Sequence, residues 1–221
     1  MLIGFTGFAG AGKDTAAKLL SDMSGIPLTA FAKPLHDAAI HVFGADCLER
    51  ENKEREYPFT HEVFEHFYTW HINFLQSVNA KCGIIHGDNL TLPSKRFYDI
   101  FANQKTLSPR RLMQLYGTEY WRKERESIFV DLVRDNVGDA IVSDVRFENE
   151  AAICDVLIVI RRDGIKPVAG HSSEAFAALF DGQPECLTFN MDCENPTVII
   201  DNNGAIEELQ HKLQNIKLNN I

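Results

Sequence analysis

Apolar positions along the chain follow two patterns that predict two kinds of element. Continuous apolar runs of three to seven residues predict buried strands, and they lie at 2–6, 26–32, 140–143, 156–160 and 198–200. The stretches between them carry apolar residues three and four positions apart, as at 16, 19, 20 and 23, which predicts helices. Strands that alternate with helices predict an α/β protein with a parallel sheet and helices on both faces.

Local signals predict where several helices begin and end. A helix from Lys13 should end at Gly25, and a second should begin at Pro34 and continue to Phe43. Ser108 followed by a proline is typical of a helix start, and Gly117 should stop that helix. Further helices are predicted over 119–134 and from 205 to about 216.

The composition changes between residues 46 and 105. A charged run at 49–56 precedes a stretch rich in aromatic residues and histidine at 59–74. We interpret 46–105 as a mostly helical insert within a single domain that spans 1–221. His61 and His66 miss the H-E-x-x-H zinc spacing by one position, so a solvated helix is favoured, and the aromatic residues favour a local core.

Composition and charge exclude several classes of protein. The chain has 221 residues, of which 45% are hydrophobic, and no apolar run approaches the roughly 18 residues of a membrane span. The net charge of −9 argues against nucleic acid as a partner. Five irregularly spaced cysteines and an N-terminus without a basic segment favour reduced thiols and a cytoplasmic location. Neither a membrane nor a nucleic acid is therefore an expected partner.

A glycine-rich stretch directly follows the first predicted strand. Gly7 to Lys13 fits G-x-x-x-x-G-K, the P-loop pattern. In that pattern a serine or threonine usually follows the lysine directly, whereas here Asp14 follows it and Thr15 comes one position later. Glycines let several backbone N–H groups point at phosphate oxygens, and the helix that follows presents its positive end to the same anion. Lys13 adds a full charge toward the β- and γ-phosphates. The sequence therefore predicts a phosphate-binding loop.

Two rival motifs fit this region poorly. A dinucleotide-binding G-x-G-x-x-G motif could begin at Gly10 and Gly12, but its third glycine is replaced by Thr15. The Asn-Lys-x-Asp motif of GTPases is absent, since Asn52-Lys53 is followed by Glu54-Arg55.

Three oxygen-bearing residues are candidates for holding Mg²⁺. Asp144 ends an apolar strand, where P-loop folds place the acidic residue that binds this ion, although it could instead cap a helix. Asp14 and Thr15 are the other candidates, and the sequence leaves open which of the three contacts the ion.

Arginines recur near predicted strand ends and helix starts of this acidic chain. Together these arginines suggest an anion pocket at the carboxyl edge of the sheet. Any single one of them could instead form a surface salt bridge. The six are Arg110, Arg111, Arg122, Arg146, Arg161 and Arg162.

Four segments together resemble the bacteriophage-type deoxynucleoside monophosphate kinases, a branch of the P-loop NMP kinase superfamily. They are Gly7–Thr15, Phe31–Asp37, Arg110–Glu119 and Val142–Glu150. The resemblance implies a three-layer P-loop NTPase fold, with a parallel sheet flanked by helices, an NMP-binding insert and a lid.

The resemblance also implies roles for individual residues. ATP phosphates would be held by Gly10, Gly12, Lys13, Asp14 and Thr15. Asn203 and Gly204 would lie beside the ATP base, and Arg146 and Arg161 would join Lys13 near the transferred phosphoryl group. The acceptor nucleotide would be surrounded by Leu35, His36, Arg111, Gly117, Thr118 and Trp121.

The expected activity is Mg²⁺-dependent transfer of the γ-phosphoryl group of ATP to a (deoxy)nucleoside 5'-monophosphate, for deoxynucleotide supply. Another small-molecule P-loop kinase, of the dephospho-coenzyme A or phosphomevalonate type, is an alternative, and a non-catalytic nucleotide-binding module is another. The expected partners are ATP and the acceptor nucleotide. A sheet edge or the 46–105 segment could pair two chains into a homodimer. If the chain is viral, as the resemblance implies, the location is the host cytoplasm.

Overall fold

The computed structural model describes residues 1–82, 95–166, 175–186 and 197–216. The strands within these ranges are β1 (Leu2–Thr6), β2 (Leu28–Thr29), β3 (Tyr57–Pro58), β4 (Thr106–Leu107), β5 (Ala140–Val142), β6 (Val156–Arg161) and β7 (Thr197–Asp201). The helices are α1 (Lys13–Ser24), α2 (Lys33–Phe43), α3 (His61–Cys82), α4 (Lys95–Phe101), α5 (Pro109–Gln114), α6 (Arg122–Glu124), α7 (Ile128–Asn136), α8 (Glu148–Ala151), α9 (Ala175–Ala178) and α10 (Ile206–Gln214). Ala45–Leu48 forms a 3₁₀ turn and Leu115–Trp121 a π-helix.

A five-stranded sheet of order β2-β5-β1-β6-β7 carries the fold, and all of its strand pairs are parallel. β1 lies at its centre, with Gly4 opposite Val142 of β5 and Leu157 of β6. Helices flank the sheet, and the predicted α/β class is confirmed. The parallel order brings the carboxyl ends of all five strands to one edge, which is where ligands of such sheets bind.

The core of this region lies between the sheet and helices α1 and α10. The strands β1 and β6 are unbroken apolar runs in the sequence, because a strand that is covered on both faces has no polar side. The buried side chains of this core include Ile3, Phe5, Ala16, Ile158 and Leu209. Lys13–Ser24 ends at Gly25, which has φ 74°, so the predicted glycine stop of α1 is confirmed.

Contacts divide the chain into two compact units. The first comprises Met1–Phe31 and Val137–Ile221 and contains the five-stranded sheet. The second, Ala32–Asn136, is mostly helical and contains the antiparallel pair β3-β4. The predicted helical segment 46–105 falls within this second unit, but 83–94 lie outside the described residues. The single-domain arrangement and the lid stay predictions.

The second predicted strand is shorter than the apolar run at 26–32 indicates. Only Leu28–Thr29 pairs with β5, which is itself three residues long. Pro27 has no N–H to give to a ladder, although its carbonyl accepts from Ile141. Beyond Thr29, the N–H of Phe31 donates instead to the carboxylate of Asp144, so strand pairing ends there.

The prediction that Gly117 stops a helix is wrong. α5, the π-helix and α6 follow one another without a break from 109 to 124. A glycine costs a helix only about 1 kcal/mol, and the packing of its buried neighbours Tyr116 and Tyr120 outweighs that cost. The helix predicted over 119–134 is helical at 119–124 and 128–134, but it is not continuous, since Arg125 is extended and α7 begins at Ile128.

Two smaller expectations concern cysteines and membranes. Cys47, Cys154 and Cys186 are free thiols, as predicted, while the side chain of Cys82 and all of Cys193 lie outside the part of the chain that the structure describes. Within the described ranges, no helix combines the length and the apolar character needed to cross a bilayer.

Candidate active site

The glycine-rich loop lies at the carboxyl edge of the sheet, between β1 and α1. Ala11 is buried in the core and its N–H donates to the Phe8 carbonyl at 3.1 Å, which closes the turn. Gly7 passes so near β6 that a Cβ on it would lie 2.2 Å from the Ile160 carbonyl oxygen. Gly12 precedes the helix with φ 96°, a left-handed conformation that glycine adopts without strain.

The start of α1 gives this loop the properties of an anion site. The first turn of any helix has N–H groups without intrahelical partners, here those of Lys13, Asp14 and Thr15. The helix dipole adds positive potential at the same place. The Lys13 side chain is half-buried, whereas Asp14 and Thr15 are exposed. Loop, helix end and lysine can therefore hold a chain of phosphates.

Asp144 follows β5 closely, and β5 pairs with β1, so Asp144 lies at the same edge of the sheet as this loop. Val145, the next residue, donates its N–H to the Phe5 carbonyl of β1 at 3.0 Å. The Asp144 side chain is buried, and its Oδ1 accepts from the Phe31 N–H at 2.7 Å. The carboxylate is thus anchored to the end of β2 at the functional edge.

The residues predicted to hold Mg²⁺ offer the ligand chemistry that this ion prefers. Asp14, Thr15 and Asp144 supply carboxylate and hydroxyl oxygens, and Mg²⁺ usually takes one or two carboxylates together with substrate phosphates. Among the residues that the structure describes, no group of three or more His, Cys, Asp or Glu side chains could form an all-protein metal site.

Arg161 is held tightly by other parts of the first unit. Its Nη2 lies 2.7 Å from Asp201 Oδ1, and its Nη1 donates to the Phe180 carbonyl at 3.2 Å and to the Gln183 carbonyl. Its guanidinium therefore joins β6, β7 and the segment after α9. A phosphoryl group would have to share or replace these partners.

Arg146 differs from Arg161 because its side chain is exposed. Its backbone N–H donates to the buried carboxylate of Glu150 at 2.8 Å, which fixes the turn after β5. Arg146 thus follows β5 and Arg161 ends β6, the two strands on either side of β1, and the two side chains have different surroundings. Arg110 pairs with Glu54, and Arg122 lies over the Phe129 ring at 5.0 Å.

The segment after β7 approaches the glycine loop through a residue that sequence reasoning missed. Asn202 Nδ2 donates to the Ala11 carbonyl at 2.9 Å. The neighbouring Asn203, which was predicted to lie beside the ATP base, accepts through Oδ1 from the Asp163 N–H at 2.8 Å. A Cβ on Gly204 would meet Glu208 Oε2 at 2.0 Å. An asparagine directly after the last strand was the available signal for Asn202.

The second unit holds the residues predicted to surround the acceptor nucleotide. Gly117 packs against Leu35, since a Cβ on Gly117 would lie 2.7 Å from Leu35 Cδ1. Arg111 is exposed and donates to Gln114 at 3.1 Å, and Thr118 is exposed on the π-helix. The packing of α2 on α5 places His36 on an element adjoining Arg111. Trp121 is buried among aromatic rings.

A buried histidine supports the π-helix, and sequence reasoning missed it as well. His71 of α3 bonds through Nδ1 to the Tyr116 hydroxyl at 2.8 Å and through Nε2 to the Tyr120 hydroxyl at 3.1 Å. Burial lowers the pKa of His71 to about 3 and raises the pKa of Tyr116 well above its usual value. His71 and Tyr116 are therefore both neutral near pH 7.

A parallel sheet with a glycine-rich loop and a lysine between its central strand and the first helix defines the P-loop class of α/β proteins, and the fold agrees with that of P-loop NMP kinases. No family model matches the chain. It is 29% identical over 183 residues to the deoxynucleoside-5'-monophosphate kinase of Escherichia phage T5, across 69% of this chain and 71% of the phage protein. The chain is thus a distant homologue of that enzyme, and the predicted resemblance is confirmed.

Proposed function

We propose that this protein transfers the γ-phosphoryl group of ATP to a (deoxy)nucleoside 5'-monophosphate and forms the diphosphate. The observation that carries the proposal is the loop from Gly7 to Thr15, which leads into a helix N-terminus at the ligand-binding edge of the sheet. The phage T5 relative supports nucleotides as substrates. We further propose that the reaction takes place in the cytoplasm, or in the host cytoplasm if the chain is viral.

In this proposal the first unit binds the phosphate donor. Lys13 and the N–H groups at the start of α1 hold the phosphates of ATP, and Arg146 and Arg161 neutralise charge on the transferred group. Asp14, Thr15 and Asp144 would hold Mg²⁺, which supplies charge neutralisation at the phosphate oxygens when bound. Asn203 and Gly204 lie beside the base of ATP.

The acceptor needs little chemical activation. Its phosphate oxygen is already a nucleophile, so no strong general base and no covalent enzyme intermediate are required. Catalysis then rests on positioning and on preorganised positive charge. The acceptor contacts that we propose are Leu35, His36, Arg111, Gly117, Thr118 and Trp121.

The test is an assay of ADP release with MgATP and a panel of ribo- and deoxynucleoside monophosphates. We expect acceptor-dependent turnover, and we expect Lys13→Ala to lower kcat/KM by about 10²–10³-fold, the cost of removing a preorganised charge-stabilising group. Lys18→Ala is the matched control, since Lys18 lies on the same helix and makes an exposed ion pair with Asp22 at 3.1 Å. The kcat/KM of that variant should stay within about twofold of the value for the original protein.

Other results would redirect the assignment. Turnover with dephospho-coenzyme A or phosphomevalonate, and with no nucleotide, would indicate another small-molecule kinase. ATP binding without turnover on any acceptor would indicate a nucleotide-binding module. Equal activity of the Lys13→Ala and Lys18→Ala variants would contradict the proposed donor site.

A further inference from the structure

We propose that Asn202 is a positioning residue that holds the glycine loop in its phosphate-binding shape. Its side-chain Nδ2 donates to the carbonyl of Ala11 at 2.9 Å. The same nitrogen fills the space beside Gly12, where an added Cβ would lie 2.4 Å from it. Asn202 thus contacts the two residues directly before Lys13. The inference deepens the proposed function, because it assumes that this loop binds the phosphates of a nucleotide.

The backbone around Asn202 is itself fixed, so its amide is already in place before any ligand binds. Its N–H donates to the Arg161 carbonyl at 2.7 Å. Asp201, the residue before it, pairs with the Arg161 guanidinium, and Asn203, the residue after it, accepts from the Asp163 N–H. Three consecutive residues therefore attach the end of β7 to β6 and the loop after it. The side chain of Asn202 extends this attachment to the glycine loop.

The geometry of the peptide bond explains why one contact can orient the loop. In a planar trans peptide, the carbonyl and the N–H point in opposite directions. The hydrogen bond from Asn202 to the Ala11 carbonyl therefore fixes the direction of the Gly12 N–H, one of the groups that such loops offer to phosphate. Gly12 has φ 96° and no side chain, so this peptide can rotate easily when the bond is lost. Asn202 removes that freedom.

A comparison of two ligands shows whether Asn202 acts on the phosphates or contacts the base. Magnesium tripolyphosphate presents only the phosphate chain, whereas MgATP presents the nucleoside as well. We would measure the affinity of the full-length protein for both by calorimetry at constant ionic strength. The variants are Asn202→Ala and Asn202→Asp, and the second keeps the side-chain volume if the first folds poorly. Asn52→Ala is the matched control, because Asn52 also donates from its amide to a backbone carbonyl, that of Asp46 at 3.0 Å.

We expect Asn202→Ala to lower the affinities for MgATP and for magnesium tripolyphosphate by the same factor. That factor should be about tenfold, which is the scale of one hydrogen bond. Asn202→Asp should lower both affinities further, because the aspartate cannot donate a hydrogen bond to the Ala11 carbonyl and adds negative charge near the phosphates. Asn52→Ala should leave both affinities within twofold. Urea unfolding of each variant then shows whether affinity is lost without loss of the fold.

Two results would overturn the inference while the proposed function stands. Weaker MgATP binding with unchanged tripolyphosphate binding would show that Asn202 contacts the nucleoside. Unchanged affinities together with lower stability would show that the bond serves only the fold. Failure of the unmodified protein to bind either ligand would overturn the proposed donor site itself, and the role of Asn202 with it.

Discussion

At the scale of single residues, Gly12 is constrained in two separable ways. Its φ of 96° is costly for any residue with a side chain, and its Cα faces the amide of Asn202. Gly25, at the other end of the same helix, has a similar φ of 74°, but an added Cβ there would meet nothing within 4 Å. The two glycines therefore separate backbone strain from contact with Asn202.

We predict that Gly12→Ala and Gly25→Ala each lower the free energy of unfolding by about 1–2 kcal/mol, because both positions need a left-handed backbone. Only Gly12→Ala should also weaken MgATP binding, by about tenfold or more, since its Cβ displaces Asn202 and disturbs the loop. Urea unfolding and calorimetric titration measure the two effects. Equal loss of affinity in both variants would contradict the local origin of the effect.

At the scale of elements, the π-helix is the part of the second unit with the most unusual geometry. Its residues Tyr116 and Tyr120 are four positions apart, with parallel rings 5.8 Å between centroids. Both hydroxyls meet the two nitrogens of His71, whose ring also stacks on Phe97 at 4.3 Å. One buried side chain thus joins α3, α4 and the π-helix. π-helical turns occur often at functional sites, and three of the proposed acceptor contacts, Gly117, Thr118 and Trp121, lie on this one.

The pKa of His71 gives this packing a definite pH dependence. Its pKa is about 3 in the folded protein, below the ordinary value of 6.5, so below pH 6.5 the unfolded chain binds the extra proton. Its contribution is therefore unchanged above pH 6.5 and becomes increasingly unfavourable as the pH falls toward 3. Between pH 7.5 and 5, we predict a loss of about 2 kcal/mol of unfolding free energy from this residue alone.

Urea unfolding of His71→Gln at the two pH values checks this contribution. The variant should be less stable at pH 7.5, but its further loss at pH 5 should be smaller than that of the original protein by about 2 kcal/mol. His61→Gln is the control, because His61 lies on the same helix with its side chain 86% exposed. A loss of stability between pH 7.5 and 5 that is as large in His71→Gln as in the original protein would refute the assignment.

The contact between the π-helix and α2 yields a separate prediction. Gly117→Ala places a Cβ 2.7 Å from Leu35 Cδ1, so we expect a loss of about 1–3 kcal/mol of stability and a higher KM for the acceptor. Gly138→Ala should be near neutral, since an added Cβ there meets nothing within 4 Å. Urea unfolding and acceptor titrations measure both. If Gly117→Ala were stabilising, as helix propensity alone predicts, the close contact would be refuted.

At the scale of the whole molecule, a strongly acidic chain is proposed to bind an anion. The net charge of −9 repels phosphate at long range, but salt screens this repulsion beyond about 8–10 Å. Within that distance, Lys13 and the positive end of α1 supply positive charge at the glycine loop. Binding should therefore depend on these local groups more than on the total charge.

We predict that MgATP stabilises the protein against unfolding. At a concentration 100 times its Kd, a ligand that binds only the folded state adds about 2.7 kcal/mol, which corresponds to about 5–10 °C in Tm at this chain length. Thermal unfolding with and without MgATP measures the shift. Lys13→Ala should reduce it strongly and Lys18→Ala should not. A shift of equal size in both variants would place the binding elsewhere.

The local sequence was sufficient to predict three of the five strands of the sheet. β1, β6 and β7 are continuous apolar runs, and Gly7, Gly12 and Lys13 have a spacing that few other structures require. Predictions failed where distant residues decide the local conformation. The run at 26–32 pairs over only two residues because Asp144 takes the N–H of Phe31, and Gly117 stays helical because its neighbours pack on His71.

The sequence by itself determined the α/β class and the position of the glycine-rich loop between β1 and α1, because each depends on residues that are close together in the chain. Only the tertiary structure decided what holds these parts in place. Asn202 meets Ala11 from 191 positions away, Arg161 is joined to Asp201, and His71 links two tyrosines more than forty residues later. Such pairs leave no periodic or local signal, since their partners become neighbours only when strands and helices pack.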